Sequence, residues 1–468
     1  MSPRLLLISA ACTALAACAH APAPQAAATP RIDVPAIAHP AGETPEWWYR
    51  YGAAQAAERG AMRGKARNII LFVGDGMSLP TVAAARILEG QRRGSSGEEN
   101  FLGWEHFEHT ALSRTYNTNS QTPDSAGTMS AMSTGAKTRM GVLAIGQEAP
   151  RGDCGAALRT PIVTLWQFAA EGGMATGVVT TTRLTHATPA ATLSHAPERN
   201  WEADSDMPEQ ARAAGCRDIA AQIIESPWGQ GPTVLMGGGR TNFMPATERD
   251  PERDDLVGQR LDGRNLIEEW RKRHPDGTYV WNARQFAAAP LDGPLLALFN
   301  PDHMEYEHDR PRDIGGEPSL AEMTRAAIAR LSRDPDGYVL LVEGGRIDHA
   351  HHAGNAFRAL GDTIALSDAV KAAVEATSAE DTLILVTADH AHTMTFAGYP
   401  ARGNPILGKV RGRSGEDGDA GAYAVDMLGL PYTTLGYANG PGYVGAADQQ
   451  PGLEPRAGDE FVQHHGTQ

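Results

Sequence analysis

Cysteine is scarce, four residues in 468, and two of them, Cys12 and Cys18, lie in the amino-terminal leader. That excludes a scaffold built on disulfides, and with no Cys-x-x-Cys pair anywhere it argues against a thiolate zinc module. Cys154 and Cys216 remain. In an oxidising compartment such an isolated pair most often bonds, closing a loop worth roughly 4 kcal/mol of chain entropy; two buried free thiols are the other reading. Basic residues are outnumbered, 41 Lys and Arg against 56 Asp and Glu, for a net charge of −15. A nucleic-acid-binding surface is thereby excluded, because phosphate backbones are held by clustered cations. The same balance is odd for an enzyme of anionic substrates, unless bound divalent cations reverse the local field. Long apolar runs and internal repeats are also missing. Leu5–Ala17 is too short to cross a bilayer, and no other stretch comes close.

That short run reads instead as the core of an export signal over residues 1–18, with Arg4 as its positive flank. It ends Leu15-Ala16-Ala17-Cys18, which resembles the lipobox of bacterial lipoproteins. Cys18 then becomes a lipidated terminus, residues 19–42 a flexible Ala/Pro tether, and the protein an outer-membrane-anchored resident of the periplasm. Simple cleavage nearby, giving a soluble exported product, is the alternative. Residues 43–468 are left for folding.

Within them, apolar runs and helix signals alternate. Residues 46–58, with Trp47, Trp48 and Tyr49, read as a short helix that lays aromatics on another surface, such as a partner subunit. Strands are expected at 68–73, 175–182, 233–236, 295–299, 337–342 and 382–387, and helices at 80–89, 164–171, 320–331 and 356–376. Continuous rather than alternating strands imply a mostly parallel sheet covered on both faces, a three-layer α/β/α sandwich. Residues 398–440, Gly-, Asp- and Arg-rich at the start, read as a surface insertion.

The informative fact is where the acids and histidines fall. Asp75 follows the first strand, Glu343 the run ending at Val342, Asp389-His390 the run ending at Thr387, and Thr188 lies shortly beyond 175–182. Strand carboxyl ends form the ligand crevice of open α/β sheets. Any one of these residues alone reads equally well as a cap or turn residue; together they point to a metal site. In Asp348-His349-Ala350-His351-His352, Asp348 and His352 are one helical turn apart and reach one metal. Oxygen and imidazole donors suit catalytic zinc, and the all-oxygen set Asp75, Thr188 and Glu343 suits magnesium. Ser125, in Pro123-Asp124-Ser125-Ala126-Gly127, opens a helix after a loop, where the dipole favours an anion. An N-cap serine is the bland alternative.

These motifs, Asn68–Met77, Asp124-Ser125-Ala126, Thr180–Trp201, Leu295–Glu307, Glu343–His352 and Thr387–His390, resemble those of the alkaline phosphatases, particularly the animal-type branch. The resemblance runs from about residue 43 onward. It implies hydrolysis of phosphate monoesters through a phosphoserine on Ser125, two zinc ions and one magnesium per chain, and a homodimer. It also implies a disulfide at Cys154 and Cys216. By the same resemblance Asp348 and His352 hold the first zinc, and Asp75, Asp389 and His390 the second. Asp75 bridges to magnesium with Thr188 and Glu343, and His186 stands in its outer shell. Arg199 is the substrate arginine, Asp124 orients it, and His349 touches the phosphate indirectly.

The sequence departs from the family pattern at two places. The first zinc's third ligand, a histidine in a His-Gly-Gly-Glu-Asp-like context, has no counterpart. The expectation is that the chain as given stops before it and before a closing strand and helix, with His465 as a doubtful stand-in. A calcium-like fourth site has Phe299-Asn300 where a Phe-Glu pair is usual, with Glu317 nearby. Competing readings are a related phosphodiesterase or sulfatase, and a non-catalytic lipoprotein that binds metal or phosphate.

Overall fold

The computed structural model describes residues 43–59, 64, 66–412, 422–426 and 428–438. The leader, Cys18, the tether and His465 lie outside them, as does part of the segment 398–440. Seven strands form one parallel sheet: β1 (Asn68–Gly74), β2 (Ala175–Arg183), β3 (Val234–Gly238), β4 (Thr278–Val280), β5 (Leu295–Leu298), β6 (Tyr338–Gly344) and β7 (Thr382–Ala388). Their spatial order is β4-β5-β3-β2-β6-β1-β7. β3, β5 and β6 bury every position, because helices cover both faces. One face packs Trp166, Ile223 and Trp270 from helices Leu165–Glu171, Ile219–Glu225 and Leu266–Arg273. The other packs Met323, Ile328, Leu366 and Val370 from helices Leu320–Leu331 and Ala356–Ala376. The result is the expected three-layer sandwich. At the β7 edge Leu383 and Leu385 remain exposed.

The expected strands and long helices fall within a few residues of their observed bounds. β4 and several short helices, Ala187–Leu193 and Ala283–Ala288 among them, were not foreseen, since so few residues carry no readable period. Helix Pro45–Glu58 begins with Thr44 as its cap and proline in the first turn. Its Trp47 and Trp48 pack on Ala136 and Ile162 of the same chain, while Tyr49 stays exposed. Two of the three aromatics are thus used within the chain. β8 (Met394–Phe396) and β9 (Leu435–Tyr437) form a small antiparallel pair. Ile406, Leu435 and Tyr437 join a core cluster with Ala84, Leu88 and Leu360, so part of the segment read as a surface insertion is interior. Cys154 and Cys216 are bonded, with Cα atoms 5.8 Å apart, in a pocket with Trp201 and Met207.

Candidate metal centre and nucleophile

Four adjacent strands, β2-β6-β1-β7, position the site. The register sets Val73 level with Glu343 and with Thr387, and Thr180 level with the same Glu343. Neighbouring strands are about 4.8 Å apart, so Asp75, Glu343 and Asp389 come out in one row at the carboxyl edge. Gly76 then turns the chain at φ +63°, and a Cβ there would lie 2.8 Å from Asp348 Oδ1. Only glycine fits both the turn and the close approach.

Ser125 is the first residue of helix Ser125–Thr134. The capping role left open for it belongs to Asp124, whose Oδ1 accepts the Gly127 N–H at 3.1 Å. Ser125 Oγ lies 3.3 Å from both carboxylate oxygens of Asp75 and 3.3 Å from His390 Nε2. His390 Nδ1 donates to the Ala391 carbonyl at 3.0 Å. That fixes the tautomer and leaves the Nε2 lone pair free, 3.6 Å from Asp75 Oδ1 and 3.3 Å from Asp389 Oδ2. Asp389 Oδ1 accepts the backbone N–H groups of Gly76 and His390.

Asp75, Glu343 and Asp389 are essentially fully buried, and none makes an ion pair with Lys or Arg among the described residues. Burial, and after it the carboxylates of Asp389, Asp348 and Glu343, pushes Asp75 well above the usual carboxyl range. Burial pushes Glu343 up to about 7, opposed by the hydroxyls of Thr180 and Thr188. Even so, Glu343 Oε1, Thr188 Oγ1 and Asp348 Oδ1 are buried with no hydrogen-bond partner of normal geometry. Buried anions and orphaned oxygens cost several kcal/mol unless paired, and divalent cations are what would satisfy this donor set. Three groups bring their ligand atoms within 4.8 Å of one another: Asp348, His352 and His392; Asp75, Asp348 and His390; Asp75, His186 and Glu343.

Beside this cluster Arg199 donates from Nη1 to Asp124 Oδ2 at 3.1 Å and from Nη2 to His186 Nε2 at 3.2 Å. Asp124 is held by Asn117 Nδ2 and by the Gly141 N–H, each at 3.0 Å. His349 joins only at one remove, its ring 5.3 Å from that of His186. The residues singled out from the sequence are therefore contiguous, with His349 at the margin.

Sequence reasoning missed His392, whose Nε2 lies 3.6 Å from Asp348 Oδ1. Its signal was a second imidazole two residues after His390. It also missed Thr180 and Thr182, whose hydroxyls both donate to Glu343 Oε2; alternation along β2 puts both on one side, hidden in a run of three threonines. At the calcium-like position Glu317 accepts one N–H on each oxygen, from Asn300 Nδ2 and from Glu305 N, both at 2.9 Å.

The family profile described as alkaline phosphatase matches residues 66–460. The tissue-nonspecific alkaline phosphatase of Gallus gallus is 42% identical over 413 residues, covering 85% of this chain and 76% of that protein. The membrane-bound alkaline phosphatase of Bombyx mori is likewise 42% identical, covering 86% of this chain and 70% of that protein. Among solved structures, the Thermus thermophilus alkaline phosphatase superposes with a TM-score of 0.57 at 30% identity, over 74% of this chain and 66% of that one. The chain thus spans just under two thirds of the Thermus protein. A parallel sheet with buried acids at its carboxyl edge, a serine opening a helix above them, and these matches together place the chain in the alkaline phosphatase family.

Proposed function

We propose that this protein hydrolyses phosphate monoesters to an alcohol and inorganic phosphate through a phosphoserine on Ser125. One observation carries the reading: Ser125 Oγ sits at a helix start within 3.3 Å of Asp75 and His390, inside a nest of buried, unpaired donors. Asp348 and His352 would hold one zinc, and Asp75, Asp389 and His390 a second. Asp75, Thr188 and Glu343 would surround a magnesium, with His186 in its outer shell. Bound there, the three cations would supply Lewis acidity that lowers the serine pKa and offsets charge on the leaving oxygen.

The chain's own residues do the rest. Ser125 Oγ gives up its proton and bonds to phosphorus as the bond to the alcohol oxygen breaks, and the alcohol leaves protonated. Water then attacks phosphorus, the Oγ–P bond breaks, and the serine regains its proton as phosphate departs. Arg199 grips the equatorial oxygens with a planar fork, which Asp124 and His186 hold in orientation. His349 borders the same pocket.

The expected outcome for Ser125→Ala is no trappable phosphoenzyme and at least a ~10³-fold loss of aryl phosphate hydrolysis, with zinc and magnesium content unchanged. Full activity in that variant would refute the mechanism. A wild-type protein that binds metal and phosphate without turnover would favour a non-catalytic role. The leader supports export to the periplasm with a lipid anchor at Cys18. Fatty-acid labelling that survives Cys18→Ala would sink that part. A homodimer is the assembly this reading carries, with no role for nucleic acid.

A further inference from the structure

Three imidazoles pack together beside Arg199. The ring centroids of His186, His303 and His349 are 4.4 to 5.3 Å apart. His303 comes from the loop after β5, and nothing above gives it a role. Each ring accepts a hydrogen bond from a group that is a donor only. His186 Nε2 accepts from Arg199 Nη2 at 3.2 Å, His303 Nδ1 from the Arg183 backbone N–H at 3.0 Å, and His349 Nδ1 from Arg346 Nη1 at 3.0 Å. In a neutral imidazole that places the proton on the other nitrogen. Burial, and then the neighbouring Arg183, keeps His303 neutral by pushing its pKa far down. Three N–H donors result: His186 Nδ1, His303 Nε2 and His349 Nε2. None has a hydrogen-bond partner among the described residues.

Two further facts set the sign of what belongs there. Arg346, which fixes the His349 tautomer, lies 3.9 Å over the Tyr306 ring and has no ion-pair partner among the described residues. Neither His303 nor His349 enters a metal-type group among the described residues, whereas His186 shares one with Asp75 and Glu343. Neutral donors flanked by an unpaired guanidinium suit an oxyanion.

We propose that His303 is a phosphate-binding residue, its Nε2–H donating, beside the His349 ring, to the phosphoryl group that Arg199 holds. The inference rests on the phosphatase reading and deepens it. Its test uses the metal-loaded full chain with inorganic phosphate as the probe, read by calorimetric titration and by competition with an aryl phosphate. His303→Ala and His303→Phe should each weaken phosphate binding and raise KM about tenfold, as expected for one hydrogen bond to a charged group. His303→Gln, which keeps an N–H donor, should stay within about threefold of wild type, and kcat should change less than KM in all three. Metal content should not move. Wild-type behaviour in His303→Phe would show that only the ring's packing matters and overturn the proposal. So would unchanged binding in all three variants. Should His303→Ala fail to fold, the Phe and Gln variants still decide. A wild-type protein that neither binds phosphate nor turns over would sink the phosphatase reading and this inference together, whereas active wild type with unaffected variants would sink the inference alone.

Discussion

Asp362 is buried on helix Ala356–Ala376, and burial pushes its carboxyl up to about 8, against the opposing pull of Arg346 and the Glu307 N–H. Glu317 is pushed to about 8 by burial in the same way. An unfolded chain releases these protons near pH 4, so the native state binds more protons across the interval between. The stabilising contribution is therefore complete below about pH 4 and is lost as pH rises to about 8. Asp362→Asn keeps an acceptor for Glu307 N–H and removes the titration. Its melting temperature, relative to wild type, should rise steadily from pH 5 to pH 9, with the variant the more stable at the alkaline end. A difference that does not vary with pH would mean that Asp362 is already ionised at neutral pH. Nothing in the sequence marked this residue, because an aspartate on a helix looks the same whether its face meets solvent or the core.

At the scale of the element, helix Ser125–Thr134 depends on one residue for two tasks. Asp124 caps the helix through Gly127 N–H and also holds the Arg199 guanidinium. Asp124→Ala should cost about 1 kcal/mol for the cap and raise KM by freeing Arg199. Asp124→Asn retains a capping oxygen, so its stability should recover while KM stays raised. If the two variants show equal stability, the cap contributes nothing. The helix start was legible from Pro123-Asp124-Ser125; that Asp124 rather than Ser125 caps it was not. A cap is settled by the φ and ψ of one residue, which for Asp124 are extended. The helix of Asp348 and His352 was plainer, because four-residue spacing is itself the geometry.

Across the whole molecule, a net charge of −15 culminates in a site where Asp75, Glu343, Asp348 and Asp389 are buried together. Removing divalent cations should destabilise the fold, by about 2.7 kcal/mol for each site normally held at 100 times its dissociation constant. Thermal unfolding before and after chelation, with zinc and magnesium added back, measures this. An unchanged melting temperature in the chelated protein would show that the carboxylates stand without cations.

Local pattern was enough for six of the seven strands of the main sheet, the long helices, the residues at the strand ends and the Asp348–His352 pair, since each depends on neighbours a few positions away. The motifs carried the family resemblance for the same reason. Tertiary structure alone decided the order β2-β6-β1-β7, which brings Gly76 N–H to Asp389 Oδ1 across 313 positions. It decided as well that Trp48 turns inward, that Thr180 and Thr182 share Glu343, and that His303 stands with His186 and His349. Parallel strands pair through backbone groups that every residue possesses, so the ladder carries little residue identity. Which strand lies beside which is set by how the covering helices pack, and that is a property of the assembled fold.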